Sequence, residues 1–97
     1  MKRCHSAATA LLIWYLLTPR WVGLNSFDAK APLTRWYQAA SFDTAADCER
    51  SRSAEIVDWR QKSQSQNGPD SARAAALAKL YEDAQCVSAQ DSRLNAH

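Results

Sequence analysis

The chain has 97 residues and a formal charge of +2, with 46% hydrophobic residues. That length allows one small domain with a modest core, for which a covalent staple is a help. Lys2, Arg3 and Arg20 carry the positive excess; from Leu24 onward nine Lys/Arg stand among ten Asp/Glu, so the basic field that nucleic-acid binding needs is missing.

Residues 1–17 open with Lys2 and Arg3 and run apolar from Ala7 to Leu17. A charged start followed by a short apolar stretch is the pattern of an export signal. The stretch is too short for an ordinary spanning helix, which needs about 20 residues. Ala8-Thr9-Ala10 is small-x-small but comes too early for cleavage, and Cys4 after Met-Lys-Arg is no lipid-attachment sequence. Trp14-Tyr15-Leu16-Leu17-Thr18-Pro19 has a second identity, an aromatic and apolar strand closed by a proline that cannot continue a ladder. Residues 1–20 are therefore assigned as an export signal or signal anchor that can overlap a first strand. Residues 21–97 are assigned as a single small domain. If residues 1–17 form one helix instead, the sheet shrinks to a pair of strands.

Residues 20–32 hold Gly23, Asn25, Ser26, Asp28 and Pro32 and read as a connector. Trp21 and Phe27 within it are expected to be satellites of the core. A second strand is expected over residues 35–41. Simple alternation places Trp36, Gln38, Ala40 and Phe42 on one face and Arg35, Tyr37, Ala39 and Ser41 on the other.

At Phe42-Asp43-Thr44 the period changes. Asp43 or Thr44 can cap a helix over residues 44–61, and Thr44 with Asp47 imitates a capping box. Asp43, Asp47 and Glu49 suit the positive end of the helix dipole. Ala45, Cys48, Arg52 (by its stem), Ile56 and Trp59 recur at helical spacing, and Asp58 can pair with Lys62. The polar run 61–70 ends in Asn-Gly-Pro-Asp and breaks the helix. Asp70 or Ser71 can then cap a second helix over 71–84, with a stripe of Ala74, Leu77, Tyr81 and Ala84. A third strand is expected over 85–89, followed by a polar tail in which Leu94 can tuck inward.

The three cysteines are Cys4, Cys48 and Cys86, with no CxxC spacing that would suggest a redox motif or zinc ribbon. In an exported chain Cys48 and Cys86 form the natural bridge, pinning a helix start to the last strand. In a cytosolic chain they would be two inert buried thiols. The only histidines, His5 and His97, lie at the two ends, a poor basis for a metal site or a catalytic base. The carboxylate pairs Asp43/Asp47 and Glu82/Asp83 are accounted for by helix capping and a solvated face. No catalytic group, metal or cofactor is expected.

Four islands carry a resemblance: Trp14–Pro19, then Ala31-Pro32-Leu33 with Trp36, then Ser41-Phe42-Asp43-Thr44-Ala45-Ala46 with Cys48-Glu49, then Cys86-Val87 with Asp91-Ser92-Arg93-Leu94. Together they resemble a group of uncharacterised short exported bacterial proteins with W-x-L-x-x-P, SFDTAxxCE and CV…DPRL motifs. The chain departs from that pattern at Ser92 and Arg20, where a proline is usual. The resemblance implies an exported location and a disulfide, and no activity.

The whole reading is an α+β fold: a two- or three-stranded sheet with one or two helices packed on one face, stapled by Cys48–Cys86. Strands two and three run parallel if the helical segment is a right-handed crossover, with strand one between them and antiparallel to both. The expected location is the periplasm, cell envelope or exterior. The expected role is binding or structural, toward a protein or envelope partner and not nucleic acid. Membrane association through residues 7–17 is the alternative, and an enzyme is the least favoured.

Overall fold

The computed structural model describes residues 13–95. Cys4, His5, His97 and the first half of the apolar N-terminal run lie outside the described residues.

Three strands form one sheet in the order β2-β1-β3. They are β1, Trp14–Thr18; β2, Tyr37–Phe42; and β3, Gln85–Ser88. The middle strand is β1, antiparallel to both neighbours. Two helices, α1 (Ala45–Ser65) and α2 (Pro69–Asp83), fill the crossover between β2 and β3. The fold is therefore α+β, with a central strand that lies inside the segment assigned above as an export signal. Residues 21–97 alone would lack the strand that joins β2 to β3. Leu16 and Leu17, at the end of the 7–17 run, are buried in the sheet.

The register steps from Leu16↔Ala40 to Leu17↔Gln38, which leaves Ala39 as an extra residue on β2. This is a β-bulge, and it overturns the simple alternation. Ala39 and Ala40 both pack on the helix side with Trp14, Leu16, Phe42, Cys48 and Ala84. Trp36 lies on the opposite side, with Leu17, Leu33 and Val87. Arg35 ends a 3-10 turn, Leu33–Arg35, before β2 begins. The sheet is thus buried on both faces. Helices cover one, and the 3-10 turns Leu33–Arg35 and Ser92–Asn95 flank the other, where Leu94 tucks in. The Trp36 indole satisfies its N–H by donating to the Ala31 carbonyl at 2.8 Å.

Helix α1 starts where the sequence places it. Thr44 is the N-cap, and its Oγ1 accepts from the Asp47 N–H at 3.0 Å. Asp43 stands one residue before the cap. The helix runs four residues further than expected, to Ser65, because its polar C-terminal part is held by α2. Ser71 does not cap α2; its hydroxyl donates to the Ser63 carbonyl at 2.7 Å and ties the two helices together. Gly68 is the N-cap, at φ 66°, and Pro69 takes the first helical position. Positive φ is the region where glycine carries no Cβ penalty, and proline's missing N–H costs nothing in the first turn.

Arg52 does more than lend its stem. Its Nη1 donates to the carbonyls of Tyr81 and Glu82, at 3.0 and 3.2 Å, while Nε donates to Glu49. Two carbonyls in the last turn of α2 thereby accept from a cation on α1, the Tyr81 carbonyl in addition to the Ala84 N–H. Lys62 lies 4.3 Å over the Trp59 ring and does not pair with Asp58. Glu82 pairs with Arg60 across the two helices, while Asp83 pairs with Lys79 within α2, so Glu82 helps to hold the helices instead of merely facing solvent.

Candidate binding groove and strand edge

The connector 20–28 is a small hairpin. The Asp28 N–H donates to the Arg20 carbonyl and the Val22 N–H to the Ser26 carbonyl, and Trp21 and Phe27 form an antiparallel bridge. Gly23, Asn25 and Ser26 supply turn-forming residues at its tip. The Trp21 and Phe27 rings meet edge to face at 5.8 Å. The Arg73 guanidinium of α2 lies 4.0 Å over the Trp21 ring, and its Nη1 donates to the Leu24 carbonyl. A stacked cation contributes about 0.5–2 kcal/mol depending on desolvation. The hairpin is thus clamped on α2, while Val22 and Leu24 at its tip remain 69% and 84% exposed.

Beneath the hairpin opens a groove of about 430 Å³. Its working surface is Arg20, Trp21, Tyr37, Ala39, Leu77 and Tyr81. The end of β1, the start of β2 and the second half of α2 converge there. Burial, then the nearby Glu55 and Tyr37, push the Tyr81 phenol upward, so at neutral pH it stays protonated and able to donate. Arg20 is exposed and is the groove's only charged residue. Its Nε donates to the Arg35 carbonyl at 2.6 Å, which orients the guanidinium.

Strand β2 forms one edge of the sheet, and its outer side has no backbone partner among the described residues. Its sequence, YQAASF, has no charge and no proline. Tyr37 is 56% exposed.

Cys48 and Cys86 are bonded, with Cα atoms 6.0 Å apart, and Cys48 is fully buried. The bridge joins the first turn of α1 to β3. Asp43 and Asp47 do not form a cleft: Asp47 pairs with Arg50, which lowers its carboxyl pKa, with the Thr44 hydroxyl adding to the effect. Among the described residues no three of His, Cys, Asp and Glu come together as a metal site. No helix of the described residues is long and apolar enough to cross a membrane. No buried side-chain nitrogen or oxygen lacks a partner among them.

The groove residues were not singled out by the sequence. Trp21 and Phe27 read as core satellites, and Tyr81 as one member of a stripe. The turn formers between Trp21 and Phe27 are a hairpin signal that could have grouped them. Nothing in the sequence couples Arg73 to that hairpin, 49 residues away. Comparison with protein-family models, with curated proteins and with solved structures finds no match.

Proposed function

We propose that the chain is a small exported binding module of the bacterial cell envelope, held together by Cys48–Cys86 and acting on a protein or envelope partner without catalysis. The observation that carries this reading is the disulfide. Such bonds persist in oxidising compartments and are rare where thiols are kept reduced. The basic, apolar N-terminal sequence and the resemblance to short exported bacterial proteins point the same way. Binding is favoured over catalysis because residues 6–96 contain no histidine and both cysteines of the described region are consumed in the bridge. The groove and its exposed hairpin tip offer apolar and aromatic surface of the kind that partners use.

The same reading fixes what processing the fold tolerates. Cleavage after Leu17 would remove all but the last residue of the central strand. Any cut must therefore leave Trp14 in the mature chain. Alkaline phosphatase fused after Lys30 tests export: an active fusion is expected. A well-expressed but inactive fusion would overturn the envelope assignment.

A further inference from the structure

We propose that the free edge of β2, with the groove beside it, takes an extended peptide segment that carries an acidic side chain, which adds to the sheet as a fourth strand. This rests on the binding-module reading and names its site and the chemistry of its partner.

The first ground is the edge itself. Edge strands are normally guarded by lysines, prolines, inward charges, bulges or shortness. The other edge, β3, has only four residues. The six residues of β2 include no charge and no proline, and the bulge at Ala39 is the single irregularity. That bulge is a partial guard, but β2 stays paired to β1 on both sides of it, and its outer side has no backbone partner among the described residues. An edge with no charge and no proline is a template whose main-chain groups supply affinity for an added strand.

The second ground is the groove's position. Tyr37 and Ala39 share the helix-facing side of β2 and line the groove. Side chains of an added strand would alternate with the same pleat as those of β2. Every second one would therefore hang over the groove, between Tyr37 and the Tyr81 and Leu77 of α2. That is an apolar or aromatic pocket of the sort that reads alternate side chains.

The third ground is charge. The groove lining holds one charge, the Arg20 guanidinium, and no carboxylate. Its Nε is fixed on the Arg35 carbonyl, and its terminal nitrogens have no partner among the described residues. Arg35 and Lys30 are exposed nearby in sequence, with Asp28 the only carboxylate between residues 20 and 35. A carboxylate on the peptide has a preorganised cation to meet, and such charge-assisted contacts are the strong ones. A second copy of this chain is less suited, because its own β2 brings no acid to Arg20.

The test uses the full oxidised chain as bait for an unselected library of displayed 12-residue peptides. Enriched peptides should alternate apolar and polar residues and include Asp or Glu. On binding one of them, the amides of Tyr37–Phe42 that do not bond to β1 should lose hydrogen exchange. Arg20→Glu should weaken binding by about tenfold or more, the size of one charged hydrogen bond, and Tyr37→Ala should weaken it without changing the fold. Both sites are exposed, so both variants should keep the far-ultraviolet spectrum of the parent. Protection confined to other elements would overturn the site and leave the binding-module reading standing. A library that yields no binder would overturn both. A concentration-dependent dimer that protects the same β2 amides would overturn the peptide assignment, since a second copy would then cover the edge.

Discussion

Cys48 is the most deeply buried side chain of the helix side, packed among Leu16, Ala84 and the flanking aromatics. Its bond to Cys86 spans a sequence separation of 38. Closing a loop of that size removes chain entropy from the unfolded state, about 4 kcal/mol in the entropic account. Cys48→Ala or Cys86→Ala should each destabilise the chain by about 2–5 kcal/mol. The double variant should be little worse than either single one, because the same bond is lost. Urea unfolding of all three measures this, and a summed loss would show two independent buried residues. Arg52 acts at the same scale. Arg52→Met keeps the stem but strips the donors from the Tyr81 and Glu82 carbonyls, with an expected loss of about 1–3 kcal/mol. A variant as stable as the parent would mean that water serves those carbonyls equally well.

Asp91 gives the residue scale a pH dependence. Hydrogen bonds from the Arg93 side chain, then from its backbone N–H, hold the Asp91 carboxyl down at about 2. In the unfolded chain it would titrate at about 3.9. The folded value is the lower one, so its contribution is complete above the unfolded value and is lost as pH falls through the folded one. Asp47 is shifted in the same direction by Arg50. Stability should therefore decline on acidification from about pH 4 toward 2. A carboxyl titration by NMR reads this site by site. A midpoint near 4 for Asp91 would break the link to Arg93.

Among the elements, the hinge between the helices is set by Gly68 at positive φ and Pro69 after it. The space around Gly68 is open, so a side chain there meets only the backbone penalty. Gly68→Ala should cost about 1–2 kcal/mol, measured by thermal unfolding, whereas an unchanged melting temperature would mean the hinge relaxes. The elements themselves were legible in the sequence. Strand, corner, cap, helix, break, helix and strand follow from local rules that act within a few residues, as at Thr44 and Asn67-Gly68-Pro69. Helix spacing likewise placed Cys48, Ile56 and Trp59 on the buried side. What the sequence did not reveal depends on pairing. The bulge at Ala39 arises only when β2 meets β1, and it reverses the face of every residue before it. Ser71 and Arg52 read as a cap and a stem because their partners, the carbonyls of Ser63, Tyr81 and Glu82, belong to the other helix. The groove was illegible for the same reason: it exists only where β1, β2, α2 and the 20–28 hairpin converge.

For the whole molecule, the decisive feature is that one short segment has two candidate uses. Trp14–Leu17 closes the apolar N-terminal run on which the export proposal rests and also forms most of the sheet's middle strand. Leu16 and Leu17 each lie in a different core cluster, one on each face of the sheet. Losing them would open both cores at once and leave β2 and β3 without the strand that joins them. An exported, working protein must therefore carry this segment in its mature form. The most direct measurement is the intact mass of the native protein, taken from cell fractions and alkylated before and after reduction. The expected result is an envelope-fraction species whose N-terminus lies at or before Trp14, with Cys48 and Cys86 alkylated only after reduction. A mature chain that begins after Leu17, or a native chain with both thiols alkylated at once, would contradict it.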